Sequence, residues 1–323
     1  MRFSRLDSET KPIVTTVEVR HLSKRFGKIS AVKDVSFSVS SGSILGVIGR
    51  NGAGKTTTIR MVLNIFPPDS GEVLIDGARA TAAFRDRVGY LPEERGLYAK
   101  MRVLDLLLFL AELKGVSRAH AHDRAIVHLE RFGLGARTKS KVEELSKGNQ
   151  QKVQFISAVI HDPDLVVLDE PFSGLDPVNT NLLIDMMAEL KARGKAIIFS
   201  THVMDFAEKL CDRIAMIDGG ELVMYGTLAE IKRDFVRKHV SVVGFGDLAF
   251  VASLPYVTST QPFGQALGVG LAEQDDAQLL LAELVRRGIV VRKFDAIDVS
   301  LHDIFVERTT QNGEAQPLEE SAS

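Results

Sequence analysis

A layered α/β fold is what this sequence predicts, and three features predict it. The runs SILGVIG (43–49), DLVVLDE (164–170) and KAIIFSTH (195–202) are almost wholly apolar and short. Such runs fit strands of a parallel sheet that is buried on both faces. The first leads directly into a glycine-rich loop and a helical pattern, and the other two flank the helical stretch Asn179–Lys191. Strand and helix in alternation imply α/β layering. Upstream, VEVRHL and VSFSV alternate apolar and polar residues, which adds half-buried antiparallel strands.

The elements follow in order along the chain. Residues 1–12 read as a loose polar tail, and 17–39 as the antiparallel strands. Ser41-Gly42 turns the chain into the first buried strand, and Thr56–Leu63 continues as a helix. GEVLIDG (71–77) is a further strand with a glycine at each end. Residues 95–160 read mostly as helix, with patterns in Val103–Lys114 and in Arg118–Phe132; Ser117 precedes the latter as an N-cap. IAMIDGGELVMYG folds back through Gly219-Gly220 as a hairpin. From about His239 the order β-α-β-β-α-β predicts a small ferredoxin-like α+β domain, followed by a last helix, Ser300–Arg308. Beyond Gln311 the chain has three glutamates, no lysine or arginine and no apolar pattern, which predicts a disordered tail. The expected division is a tail over 1–12, a main domain over 13–235, an accessory domain over 236–309 and a tail over 310–323.

Composition narrows the function classes. With 323 residues, 45% of them hydrophobic, the chain can bury a sizeable core and a second small one. A net charge of −2 gives no electrostatic footprint for nucleic acid. One cysteine, Cys211, excludes an intramolecular disulfide framework and fits a reducing compartment. His120, His122 and His128 share a polar stretch, but their spacing does not place all three on one helical face. The first twelve residues lack an apolar core for a secretory signal. Val103–Leu113 carries Asp105 and Glu112 and is too short to span a bilayer, so a soluble protein is expected.

The chemistry concentrates in two segments. GRNGAGKT (49–56) fits G-x-x-x-x-G-K-[ST], the phosphate-cradling loop of nucleoside triphosphatases. In that pattern Gly49, Asn51, Gly52, Ala53 and Gly54 wrap phosphates with backbone N–H groups, and the following helix adds a positive dipole end. Lys55 reaches the β- and γ-phosphates, Thr56 ligates Mg²⁺, and Thr57 assists at the α-phosphate. At the end of LVVLDE, Asp169 and Glu170 sit where ligands bind a parallel sheet. Asp169 suits the Mg²⁺ hydration shell, and Glu170 suits a base for an attacking water.

Together with LSKGNQQ (145–151), SGLD (173–176) and STH (200–202), these segments resemble the ATP-binding-cassette (ABC) ATPases, the motor subunits of ABC transporters. The resemblance runs from about Val14 to Arg233. It implies a P-loop NTPase ABC-ATPase fold with an antiparallel β subdomain and a helical subdomain. It also implies ATP and Mg²⁺ as ligands, and His202 as the switch histidine at the γ-phosphate. Ser146, Gly148 and Asn149 would grip the nucleotide of a second copy, or of a homologous subunit, in a head-to-tail dimer, with Asp176 at the same interface. Lys147 and Asn149 replace the family's usual glycine and glutamine. Phe26 stands where the family stacks an aromatic ring on adenine; the alternative place for it is the core. Glu93, in YLPEE, stands where the family has a glutamine that approaches Mg²⁺ and water. A carboxylate there can do the same while adding negative charge.

The small C-terminal domain and the ending SLHDIFVERT resemble the sodium-export type of ABC ATPase. The implied function is ATP hydrolysis driving separately encoded integral-membrane permease subunits, of the export type, from the cytoplasmic face of the membrane. The segment 95–143 would receive a cytoplasmic helix of the permease. Two other readings differ in class. An ABC protein acting on ribosomes or DNA would carry a second cassette, a long coiled coil or a basic patch. A degenerate regulatory module would lack Lys55, Thr56, Asp169, Glu170 or His202.

Overall fold

Alternation in the N-terminal segment becomes two long antiparallel strands, β1 (Thr16–Phe26) and β2 (Ile29–Ser40). Their register sets Val17 against Val39 and Val19 against Phe37, so all four residues are buried. The coordinates come from a computed structural model that describes residues 16–311, except 95, 237–238, 264–265, 274–275 and 297–299. The chain forms two compact units that divide between Tyr225 and Gly226.

In the first unit, β3 (Ile44–Ile48) is followed by α1 (Lys55–Val62), β4 (Ser70–Ile75), β5 (Ala78–Arg79) and β6 (Val88–Leu91). Three helices come next: α2 (Val103–Leu113), α3 (Arg118–Arg131) and α4 (Lys147–Val159). Then β7 (Leu165–Asp169), α5 (Pro177–Ala192), β8 (Ala196–Thr201), α6 (Met204–Leu210), β9 (Arg213–Asp218) and β10 (Glu221–Gly226) complete it. One ten-stranded sheet joins the strands in the order β5-β4-β1-β2-β10-β9-β3-β8-β7-β6. The three apolar runs are its parallel centre, with β8 paired to both β3 and β7.

Period-two geometry explains why those runs had to be apolar throughout. In β7, Val166 and Leu168 face one core, together with Leu106, Leu107, Phe155 and Leu183 of α2, α4 and α5. Leu165 and Val167 face the other, with Val47, Ile59 and Val35 of β3, α1 and β2. Each fully buried aliphatic side chain contributes about 1.5–3 kcal/mol. A polar residue at any of these positions would therefore face a core whichever way it pointed.

Two local expectations shift. Ser117 takes the N-cap position of α3, but its hydroxyl bonds the His120 ring at 3.1 Å rather than a backbone N–H of the helix. The predicted tails lie outside the described residues, except that the last helix extends to Gln311.

The second unit contains α7 (Leu228–Val236), β11 (His239–Phe245), β12 (Val257–Phe263), β13 (Ala266–Leu271), α8 (Asp276–Arg286), β14 (Val290–Ala296) and α9 (Leu301–Gln311). Between β11 and β12 the predicted helix is one 3-10 turn, Ala249–Ser253. The antiparallel sheet has the order β12-β13-β11-β14, the ferredoxin-like arrangement. Val240, Val242, Val269, Leu280 and Leu284 form its core. Among the described residues, no helix is long and apolar enough to cross a membrane.

Candidate functional site

The loop between β3 and α1 is shaped by glycines at two close approaches. Gly49 has φ 153°, and a Cβ there would lie 2.1 Å from the carbonyl oxygen of Ile217. Gly54, which opens α1, has φ 105°, and its Cβ would lie 2.4 Å from that of Ala31. No side chain fits either space, so the loop can close tightly with its N–H groups free to face a ligand.

A cavity of about 200 Å³ lies over this loop. Its walls include Asn51, Lys55, Thr56, Thr57, Glu93 and Glu170. Residues 119 positions apart in sequence, Asn51 and Glu170, thus converge, because β3, β6 and β7 all end at the same edge of the sheet. A larger cavity, about 470 Å³, lies between α3 and α5 and contains none of the predicted residues.

Lys55 is buried at 6% exposure, and its Nζ donates to the carbonyls of Gly49 (2.9 Å) and Arg50 (3.1 Å). The same Nζ lies 3.5 Å from Glu170 Oε1. Glu170 Oε1 also meets His202 Nδ1 at 3.0 Å. Glu170 has φ 48°, a left-handed conformation that a non-glycine residue adopts at a cost of roughly 1–2 kcal/mol. Its backbone N–H donates to Ser200 Oγ at 3.1 Å, which holds the turn.

Ser200 Oγ also donates to Asp169 Oδ1. Asp169 is fully buried, and burial pushes its carboxyl up, against the hydroxyls of Ser200 and Thr56. Its other oxygen, Oδ2, is buried without a hydrogen-bond partner. An uncompensated buried carboxylate oxygen is costly unless a cation or an ordered water meets it. With the Thr56 hydroxyl facing the same carboxylate, the donor set is all oxygen and suits a hard divalent cation such as Mg²⁺. Glu93 is exposed and lines the same cavity.

Phe26 lies at the surface, 51% exposed, edge-on to Phe66 at 5.8 Å between centroids. It is therefore not a core residue, and its ring is open to a stacking partner. Ser146, Gly148, Asn149 and Asp176 do not line the cavity. Ser146 caps α4, its Oγ accepting from Asn149 N at 3.4 Å. A Cβ on Gly148 would meet the Gly174 carbonyl at 3.4 Å, so the α4 terminus abuts the SGLD loop. Asp176 caps α5, accepting from the Asn179 N–H at 3.0 Å, and that bond holds its carboxyl below the usual range.

Three contributors escaped the sequence reading. Ser200 lies inside the STH motif, where attention went to His202, and its role appears only once β7 and β8 pair Asp169 with Ser200. Gln151 and Gln154 of α4 are each 3% exposed and donate to loop carbonyls, Gln151 to Pro171 O at 3.1 Å. A glutamine within a polar helix start gives no signal of burial in sequence.

Residues 32–173 match the ABC transporter family, and residues 226–309 match the C-terminal domain described as ATP-binding protein DrrA1-3-like. The chain is 42% identical over 290 residues to the ABC transporter ATP-binding protein YhaQ of Bacillus subtilis, covering 90% of this chain and 97% of that one. It is 39% identical over 217 residues to the Nod factor export ATP-binding protein I of Burkholderia lata, covering 66% and 71%. Among solved structures, an ATP-binding subunit of an ABC transporter superimposes with a TM-score of 0.65 at 36% identity, covering 68% of this chain and 93% of that one.

Proposed function

This chain belongs to the ATP-binding subunits of ABC transporters and hydrolyses ATP, and from that premise we propose how its residues divide the work. Two copies, or one copy and a homologous subunit, close head to tail around two ATP molecules. Each nucleotide is held by the glycine loop of one chain and by the α4 terminus of the other. Closure and reopening drive separately encoded permease subunits at the cytoplasmic face of the membrane, and the cargo moves outward.

Within one chain, the loop over Gly49–Gly54 and Lys55 hold the phosphates, and Thr57 assists at the α-phosphate. Phe26 stacks on the adenine. Thr56 and Asp169 would hold Mg²⁺, with Glu93 at the rim of that site, and the ion would supply neutralisation of phosphate charge. Glu170 accepts a proton from the attacking water, whose oxygen bonds to the γ-phosphorus as the bond to the β-bridging oxygen breaks. His202, at 3.0 Å, holds the Glu170 carboxylate in place for that transfer.

One observation carries the two-chain arrangement. Ser146 and Asp176 are exposed, and neither they nor Gly148 and Asn149 line the chain's own phosphate cavity. A helix N-terminus is an anion site, so the α4 terminus is suited to the nucleotide of another copy. The export direction is supported by the similarity to the Nod factor export ATP-binding protein I of Burkholderia lata.

Sedimentation of the Glu170→Gln variant tests the arrangement. ATP should convert it from monomer to dimer, and adding Ser146→Arg should abolish the dimer while each monomer still binds ATP. Dimers that form equally with Ser146→Arg would refute it.

A further inference from the structure

Glu93 lines the phosphate cavity from a segment that no helix or strand holds. It follows β6 on a loop, exposed, with its backbone outside the sheet. The carbonyls that bracket it are nevertheless pinned. Gln154 Nε2 donates to Pro92 O at 3.0 Å and to Glu94 O at 3.3 Å. Gln154 itself is 3% exposed, and its chain neighbours Val153 and Phe155 are both packed into the core. Its Oε1 is buried with no hydrogen-bond partner.

A buried carboxamide with one unsatisfied oxygen is an expensive way to fill space. An apolar side chain of equal length would fill it without that cost. What glutamine supplies, and an apolar residue cannot, is a two-pronged donor. The prongs fix the carbonyls on both sides of one residue, and that residue is the acid facing the phosphates.

We infer that Gln154 is a positioning residue: through the Pro92 and Glu94 carbonyls it holds Glu93 at the phosphate cavity in the pose used for hydrolysis. Gln154 does not itself line the phosphate cavity. The inference rests on the reading that Glu93 serves the reaction.

The helix that carries Gln154 gives the contact a second consequence. Ser146 caps the N-terminus of α4, and Gln154 lies eight residues further along, about 12 Å at 1.5 Å per residue. A displacement of the α4 terminus is therefore passed along a rigid rod to the loop that carries Glu93. A hydroxyl that contacts the nucleotide of one site thereby acts on the acid of the other.

The test uses the full chain and four variants: Gln154→Met, Gln154→Glu, Glu93→Ala, and Glu93→Ala combined with Gln154→Met. Methionine keeps the length and the burial and removes both donors. Steady-state phosphate release, equilibrium binding of a fluorescent ATP analogue and thermal unfolding are measured for each.

Gln154→Met should lower kcat about tenfold, leave the analogue Kd within twofold of wild type and leave the unfolding midpoint nearly unchanged. In the Glu93→Ala background the same substitution should change kcat less than twofold, because nothing is left to position. Gln154→Glu should regain activity relative to wild type as pH falls from 8 to 6, since the protonated acid restores one donor. Effects of the two substitutions that multiply in the double variant would overturn the role of Gln154 while leaving that of Glu93 standing. A Glu93→Ala variant with wild-type turnover would overturn both. A Gln154→Met variant whose activity loss only tracks its unfolding would reduce Gln154 to a packing residue, and a pH-flat Gln154→Glu would do the same.

Discussion

Replacing Glu170 by glutamine removes one charge and one proton acceptor and changes almost nothing else. The carboxamide oxygen can still accept from His202 Nδ1, as Glu170 Oε1 does at 3.0 Å, and the backbone N–H still reaches Ser200 Oγ at 3.1 Å. The left-handed turn therefore survives. Turnover loses the contribution of a general base, about 100- to 10,000-fold. Binding moves the other way. Lys55 Nζ lies 3.5 Å from Glu170 Oε1, beyond ordinary hydrogen-bond length, so the pair sits at the weak end of charge-assisted contacts. Releasing Lys55 from it, at about 1.5 kcal/mol, tightens ATP binding roughly tenfold. Phosphate release under saturating MgATP and equilibrium binding of ATP to the same preparation measure both quantities. Wild-type turnover would refute the assignment of Glu170 as base. Slow turnover with weaker binding would refute the charge argument, because it would mean that Glu170 helps to hold the nucleotide.

Phe26→Ala should weaken ATP binding by the stacking of one base on one ring, about 1–3 kcal/mol. Stability should change by less than about 0.5 kcal/mol, since half of the ring is already open to solvent. Isothermal titration and urea unfolding separate the two, and a variant that binds ATP as well as wild type would remove the adenine role. A second expectation concerns pH. Burial, aided by Arg131 beside His128 and by Lys114 beside His161, holds both imidazoles down at about 4. In the unfolded chain both return to about 6.5, so between those values the unfolded state binds more protons. Stability is thus full above about pH 6.5 and falls as pH drops toward 4, with a ceiling of roughly 3 kcal/mol per histidine before solvent screening. Urea midpoints between pH 7.5 and 5 should decline, and His128→Leu should flatten part of that slope. A midpoint that stays level or rises toward pH 5 would contradict the burial of both rings as neutral species.

The sequence by itself determined the layered fold and the glycine loop, because both are written in contiguous residues. A strand buried on both faces needs an unbroken apolar run, as in 165–168, and a phosphate loop needs glycines at fixed offsets from Lys55. The ferredoxin-like order of the second unit was legible for the same reason, although the strength of its first helix was not, and one 3-10 turn stands there. The ends of the predicted helices in the first unit were read to within a residue or two, since caps and turn glycines are local. The last helix runs three residues past its predicted end.

Only the tertiary structure decided which side chains meet. Ser200 serves Asp169 and Glu170 because β7 and β8 pair in parallel with Asp169 beside Ser200, a register that no local pattern encodes. Phe26 could have been core or surface from its sequence context, and its place as the last residue of β1 put it at the surface. Gln154 reads as one more polar residue of a polar helix start. Its burial, and its grip on the carbonyls around Glu93, follow from the packing of α4 beneath the loop after β6. Sequence periodicity reports the face that a residue shares with its own helix, whereas a hydrogen bond spanning sixty residues depends on how separate elements are packed together.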